Sequence, residues 1–161
     1  MITKIESIWT EFQAVLVPGY QVASGQGKDP RFPGGTLNMQ APFFLERGMD
    51  LSIYHPGTLN MNIAPLHYTV LQSRLTLRQV KWHPVEQAED FSFYDVRFHR
   101  ADGSFLDGLI YYPHPDTKPR HFQNPQVLEL LLPYVGPVKY GDSFRLAVRS
   151  DQISIDSLEA V

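Results

Sequence analysis

The sequence predicts a single, mainly β domain, and three observations carry that expectation. Thirteen prolines and eleven glycines divide the 161 residues so often that only short segments survive between them, which favours strands and loops over long helices. Residues 91–99 and 105–112, rich in aromatic and β-branched side chains, flank an Ala101-Asp102-Gly103-Ser104 turn in the pattern of a β-hairpin. Apolar residues make up 43% and charged residues 19%, an ordinary balance for a globular chain long enough to bury a core.

The elements are expected in this order. Ile5, Ile8, Trp9, Phe12 and Leu16 fall on one helical stripe, so residues 4–16 are expected to form an N-terminal helix that caps the sheet and ends at Pro18-Gly19. Residues 20–24 read as a short strand that runs into Gly25-Gln26-Gly27-Lys28. Residues 43–48 read as one helical turn closed by Gly48. Strand continues from Asn60 to Ile63 until Pro65, and residues 80–85 form another short strand. After the hairpin, the four prolines in residues 113–125 mark an extended loop. Residues 126–132 satisfy both a helix start at Asn124-Pro125 and a strand of seven residues, and the β-rich surroundings favour the strand. A Tyr140-Gly141-Asp142-Ser143 turn leads into the last strand, residues 144–148. Residues 1–17 therefore read as a helical extension, 18–149 as the body of the domain, and 150–161 as a loosely held polar tail.

Composition limits the function classes. The net charge of −3, from 14 basic and 17 acidic residues, argues against a nucleic-acid or membrane surface. No run is long enough to span a bilayer, and the first residues lack the order of a signal peptide. With no cysteine there is no disulfide, thiolate metal site or cysteine nucleophile, and a cytoplasmic location is the expectation. The six histidines are scattered, without H-x-x-x-H spacing, although His114 and His121 share one loop.

Pro56-Gly57-Thr58-Leu59-Asn60 carries the most chemistry. A tight turn is followed by residues i and i+2 of an extended segment, so the Thr58 hydroxyl and the Asn60 amide oxygen share a face. Neutral oxygens of this kind suit Mg²⁺ that already carries phosphate and water. A near copy, Pro33-Gly34-Gly35-Thr36-Leu37-Asn38, is expected to be structural, or to line the same cleft with Thr36 and Asn38. The loop Gly25-Gln26-Gly27-Lys28 offers bare backbone N–H groups and one cation to a phosphate, though such a loop also serves as an ordinary turn. Glu129 stands alone in Val127-Leu128-Glu129-Leu130-Leu131-Leu132. Its carboxylate either meets a partner or a ligand hydroxyl, or faces solvent at a strand edge.

Together these pieces resemble the archaeal CTP-dependent riboflavin kinase family. The resemblance runs through Val22-Ala23-Ser24-Gly25-Gln26-Gly27, Pro56-Gly57-Thr58-Leu59-Asn60, Asp107-Gly108-Leu109-Ile110-Tyr111-Tyr112-Pro113, Glu129-Leu130-Leu131-Leu132-Pro133 and Gly141-Asp142, and covers roughly residues 20–148. It implies a compact six-stranded cradle-loop β-barrel and Mg²⁺ held by Thr58 and Asn60. It further implies nucleotide phosphates at Gly25, Gln26, Gly27 and Lys28, and riboflavin contacted by Glu129 and Thr117, with His121 competing for the latter role. The implied reaction is phosphoryl transfer from a nucleoside triphosphate to the primary hydroxyl of riboflavin, giving FMN. No catalytic base is assigned; Glu129 and Asp107 qualify by chemistry alone. The chain departs from the family at Lys28-Asp29-Pro30, where a further glycine is usual, and at Tyr134-Val135-Gly136-Pro137, where basic residues are usual. Two other functions stand beside the enzyme: a barrel that binds a small polar ligand without turnover, and a structural module in which the turn is only a turn.

Overall fold

The computed structural model describes residues 8–19, 36–117 and 124–157. Its nine strands are β1 (Trp9–Val17), β2 (Leu59–Asn62), β3 (Leu66–Val70), β4 (Leu75–Val80), β5 (Glu89–His99), β6 (Phe105–Pro113), β7 (Val127–Leu131), β8 (Ser143–Arg149) and β9 (Ile153–Ser157), with one helix, α1 (Thr36–Glu46), among the described residues. The expectation of a mainly β fold holds.

Six strands close on themselves in the order β5-β6-β7-β2-β1-β8, with β8 returning to β5, and every pairing is antiparallel. Closure removes the unpaired edges that an open sheet would present. β5 is long enough to serve two neighbours on one side. Its residues 96–99 pair with β8, whereas residues 89–93 pair with β4, which lies outside the ring. The β3–β9 ribbon contributes Tyr68 and Ile153 to the inner core.

Alternation sorts the side chains into two cores. Phe12, Ala14, Leu16, Met61, Ile63, Tyr94, Val96, Phe98, Ile110, Leu128, Leu130, Leu146 and Val148 fill the ring. Phe91, Phe93, Leu109, Tyr111 and Leu131 point the other way, into an outer core completed by Leu37 and Phe44 of α1, Met49, Leu77, Val80 and Trp82. Parts of β5, β6 and β7 thus bury apolar side chains on both faces, as at Phe93-Tyr94, Leu109-Ile110-Tyr111 and Leu130-Leu131.

The N-terminal helix is corrected to a strand over its described part. Phe12, Ala14 and Leu16 are buried while Glu11, Gln13 and Val15 are exposed, which is period two. The helical stripe arose because Phe12 and Leu16 satisfy both spacings; Ala14 completes only the strand.

The helical turn at 43–48 is the end of a longer helix. Pro42 lacks the N–H that an interior helical residue donates, yet the helix runs through it to Glu46. Gly48, with φ +95°, closes it in a Schellman arrangement: its N–H bonds the Leu45 carbonyl at 3.1 Å and the Met49 N–H bonds the Phe44 carbonyl at 2.9 Å. Phe44 is fully buried edge-on to Phe91 and Phe93, at centroid distances of 4.9 and 5.6 Å. Thr36 and Asn38 therefore lie on a helix, whereas Thr58 and Asn60 lead into a strand; Pro33, Gly34 and Gly35 lie outside the described residues.

Two further segments differ from expectation. The strand placed at 80–85 is β4, Leu75–Val80. A bulge at Arg78 and Gln79 (φ +53° at Gln79) breaks its alternation, and Arg47 holds it by donating to both carbonyls while Asp90 accepts the Gln79 N–H at 2.8 Å. The polar tail contains β9, whose Ile153 is fully buried against β3.

Candidate active site

The site is built on the outer face where β2 meets β7. Gly57 is buried with φ +123°, a conformation only glycine adopts without strain, and it turns the chain into β2. The His55 N–H bonds the Leu132 carbonyl at 2.8 Å and so docks the turn against the end of β7. Asn60 pairs with Glu129 and Leu59 with Leu130. Because Met61 and Leu59 face inward, Thr58, Asn60 and Glu129 share the outward face. The Thr58 hydroxyl donates to Glu129 Oε1 at 3.3 Å, a long bond between partly buried groups. Gly19, just beyond β1, leaves the room that Asn60 uses: a Cβ there would fall 2.4 Å from Asn60 Nδ2.

A second layer lies beside this group. Tyr111, level with Glu129 on β6, donates its hydroxyl to Gln40 Oε1 of α1 at 2.7 Å. Burial, first, and then the carboxylates of Glu129 and Glu89 push the Tyr111 phenol well above its ordinary range, so it remains a neutral donor. The buried Glu89 accepts the Trp82 indole N–H at 3.0 Å. Sequence reasoning missed Gln40, Tyr111, Glu89 and Trp82. The alternation in Leu109-Ile110-Tyr111-Tyr112 could have put Tyr111 on the same face as Leu109; nothing local marked Gln40.

The other sequence candidates lie elsewhere. Thr117 accepts the Asp90 N–H at 2.9 Å and donates to the His114 carbonyl at 3.3 Å, which ties it to the start of β5. Asp107 is 80% exposed and faces Arg97 at 3.8 Å. It lies four residues along β6 from Tyr111, or ~13 Å at strand rise. Gly25, Gln26, Gly27, Lys28 and His121 lie outside the described residues. His114 has a partner that sequence spacing did not suggest, the Ser92 hydroxyl at 2.6 Å.

The donor set of Thr58, Asn60 and Glu129 offers a hydroxyl, an amide oxygen and a carboxylate. These are hard oxygens and fit Mg²⁺ rather than a softer metal. Among the described residues no group of three or more His, Asp or Glu is placed to hold a metal, so a cation here would depend on the neutral oxygens and on a ligand's own charge.

The chain matches no protein-family model, no curated protein and no solved structure. Its class rests on its own architecture: a mainly β domain with a closed ring of six antiparallel strands and an oxygen-rich group on the ring's outer face. No helix among the described residues is long and apolar enough to cross a membrane.

Proposed function

We propose that this protein is a riboflavin-kinase-like phosphotransferase, its ring a cradle-loop barrel, which transfers phosphate from a nucleoside triphosphate to riboflavin in the cytoplasm. The observation that carries the reading is the convergence of Thr58, Asn60 and Glu129. The three come from two separate sequence motifs, and the β2–β7 register brings them onto one face.

Thr58 and Asn60 would hold Mg²⁺, with Glu129 beside them. The bound ion supplies neutralisation of the phosphate charge that develops during transfer. The chain's own residues do the rest. Glu129 offers its carboxylate to the acceptor's primary hydroxyl and orients it for in-line attack. Tyr111 stays protonated beside Glu129 and fixes α1 through Gln40. The loop Gly25-Gln26-Gly27-Lys28 supplies N–H groups and a cation for the phosphates. The donor is CTP if the family's preference carries over.

A second reading, a relative that binds a nucleotide or small polar ligand without turnover, is favoured by the uncharged segment Tyr134-Val135-Gly136-Pro137. Incubation with riboflavin, Mg²⁺ and each nucleoside triphosphate, followed by chromatography for FMN, separates the two. FMN formation with any donor supports the enzyme. Binding without product supports the second reading, and neither product nor binding sinks both.

A further inference from the structure

Tyr134 is 70% exposed, yet its backbone is anchored on both sides. Leu132 is buried and its carbonyl accepts the His55 N–H at 2.8 Å, Val135 packs on the inner core, and Gly136 turns the chain with φ +97°. The Tyr134 ring stands 5.9 Å from the His55 ring, centroid to centroid, with the planes 48° apart. Two solvent-facing rings on a fixed backbone lose little freedom when a ligand lands on them. Their place matters as much. His55 is three residues before Thr58, a span of at most ~11 Å, and Tyr134 is five residues after Glu129. The pair therefore stands at the Thr58 end of the β2–β7 ladder.

We propose that Tyr134 offers the face on which the planar heterocycle of the site's ligand stacks, with the His55 ring, tilted 48° to it, flanking that platform, while the ligand's phosphate or hydroxyl end reaches Thr58, Asn60 and Glu129. This rests on the phosphotransferase reading and names how that site holds a ring. Residues 133–138 carry no charge, so this segment binds through ring faces rather than ion pairs. Stacking reads a π-face and not a hydrogen-bonding edge, which makes the platform tolerant among heterocycles. A nucleobase and the isoalloxazine of riboflavin share that chemistry.

The test compares the wild type with Tyr134→Ala, Tyr134→Phe and His55→Ala. Binding with Mg²⁺ is measured for each nucleoside triphosphate and inorganic triphosphate by calorimetry, and for riboflavin by fluorescence quenching. Tyr134→Ala should weaken a ring-bearing ligand roughly tenfold or more, the range of one base–aromatic stack. Tyr134→Phe should bind like the wild type, and inorganic triphosphate should bind equally to all four proteins. A loss confined to nucleotides assigns the platform to the base; a loss confined to riboflavin assigns it to the isoalloxazine. If the wild type binds these ligands and Tyr134→Ala binds them as tightly, the platform is refuted while the phosphotransferase reading survives. If the wild type binds neither nucleotide nor riboflavin, both are refuted. Because Tyr134 is largely in water, unchanged thermal melts should show that the variants are folded.

Discussion

Gln152 and Asp95 exchange two hydrogen bonds: the Asp95 backbone N–H donates to Gln152 Oε1 at 2.7 Å, and Gln152 Nε2 donates to Asp95 Oδ2 at 2.9 Å. They do so where β5 passes from pairing with β8, at Val96, to pairing with β4, at Phe93. A side-chain amide thus takes the place of a neighbouring strand at the seam of the ring. Removing it leaves the partly buried Asp95 N–H without its partner and takes one hydrogen bond from the carboxylate, which keeps Arg74 at 2.8 Å, at a cost of about 1–3 kcal/mol. Gln152→Ala is expected to lower the urea midpoint accordingly, without changing the slope of the transition. An unchanged midpoint would mean that water replaces the amide at no cost.

Thr58→Ala and Asn60→Ala are expected to lower FMN formation at least ~100-fold, as for loss of a group that acts on developing charge, with stability within about 1 kcal/mol of the wild type. The Thr58–Glu129 bond is long and partly exposed, so little stability rests on it. The reverse pattern, activity kept and stability lost, would make the turn purely structural.

Gly19→Ala separates geometry from ligand chemistry, because it alters no donor. The added methyl displaces the Asn60 amide, so the Mg²⁺ concentration for half-maximal activity should rise while the circular dichroism spectrum stays unchanged. An identical Mg²⁺ titration would show that the Asn60 position is irrelevant to the metal.

Stability should fall at both ends of the pH scale, with Tyr111 leading at the alkaline end, where burial also raises Tyr54, Tyr94 and Tyr112, and His114 contributing at the acid end. Burial raises the folded-state pKa of Tyr111, with Glu129 and Glu89 adding to the effect, so the unfolded chain releases that proton first. The stability it contributes is complete below the unfolded value of about 10 and is lost as pH rises through the folded one. His114 is shifted the other way: desolvation leads in lowering its folded pKa, against the opposing pull of Asp90 and Asp116. Its contribution is present above the unfolded value of about 6.5 and is lost as pH falls through the folded one. Urea midpoints measured from pH 5 to 11 should show both declines. Tyr111→Phe should flatten the alkaline one while lowering the plateau, since Gln40 loses its donor. An alkaline decline of wild-type steepness in Tyr111→Phe would assign it to other tyrosines.

Features set by neighbouring residues were legible in the sequence. The β5–β6 hairpin was readable because its turn lies between two β-prone runs, and β7 because a short apolar run stands before Pro133. Thr58, Asn60 and Glu129 could be singled out by their local oddity, and the register then explains their meeting. Features set by distant partners were not legible. Trp9–Val17 carries apolar residues at both helical and strand spacings, and the partners β2 and β8 decide between them. β3 and β9 are short strands whose pairing spans more than eighty residues, so neither announces itself. Only the last turn of α1, at 43–48, was readable; its earlier turns run through Pro42 and are held by Leu37 and Phe44 in the outer core. Gln40 and Tyr111 meet across 71 residues.

The pairing of Trp9 with Arg149 has a kinetic consequence. The ring closes only when β1 finds β8, strands at opposite ends of the sequence, so the loop-closure entropy comes due before the last contacts repay it. High contact order of this kind makes folding slow, and the β1 and β5 edges stay open to wrong partners until β8 is available. Refolding yield should therefore depend on protein concentration more steeply than native stability does.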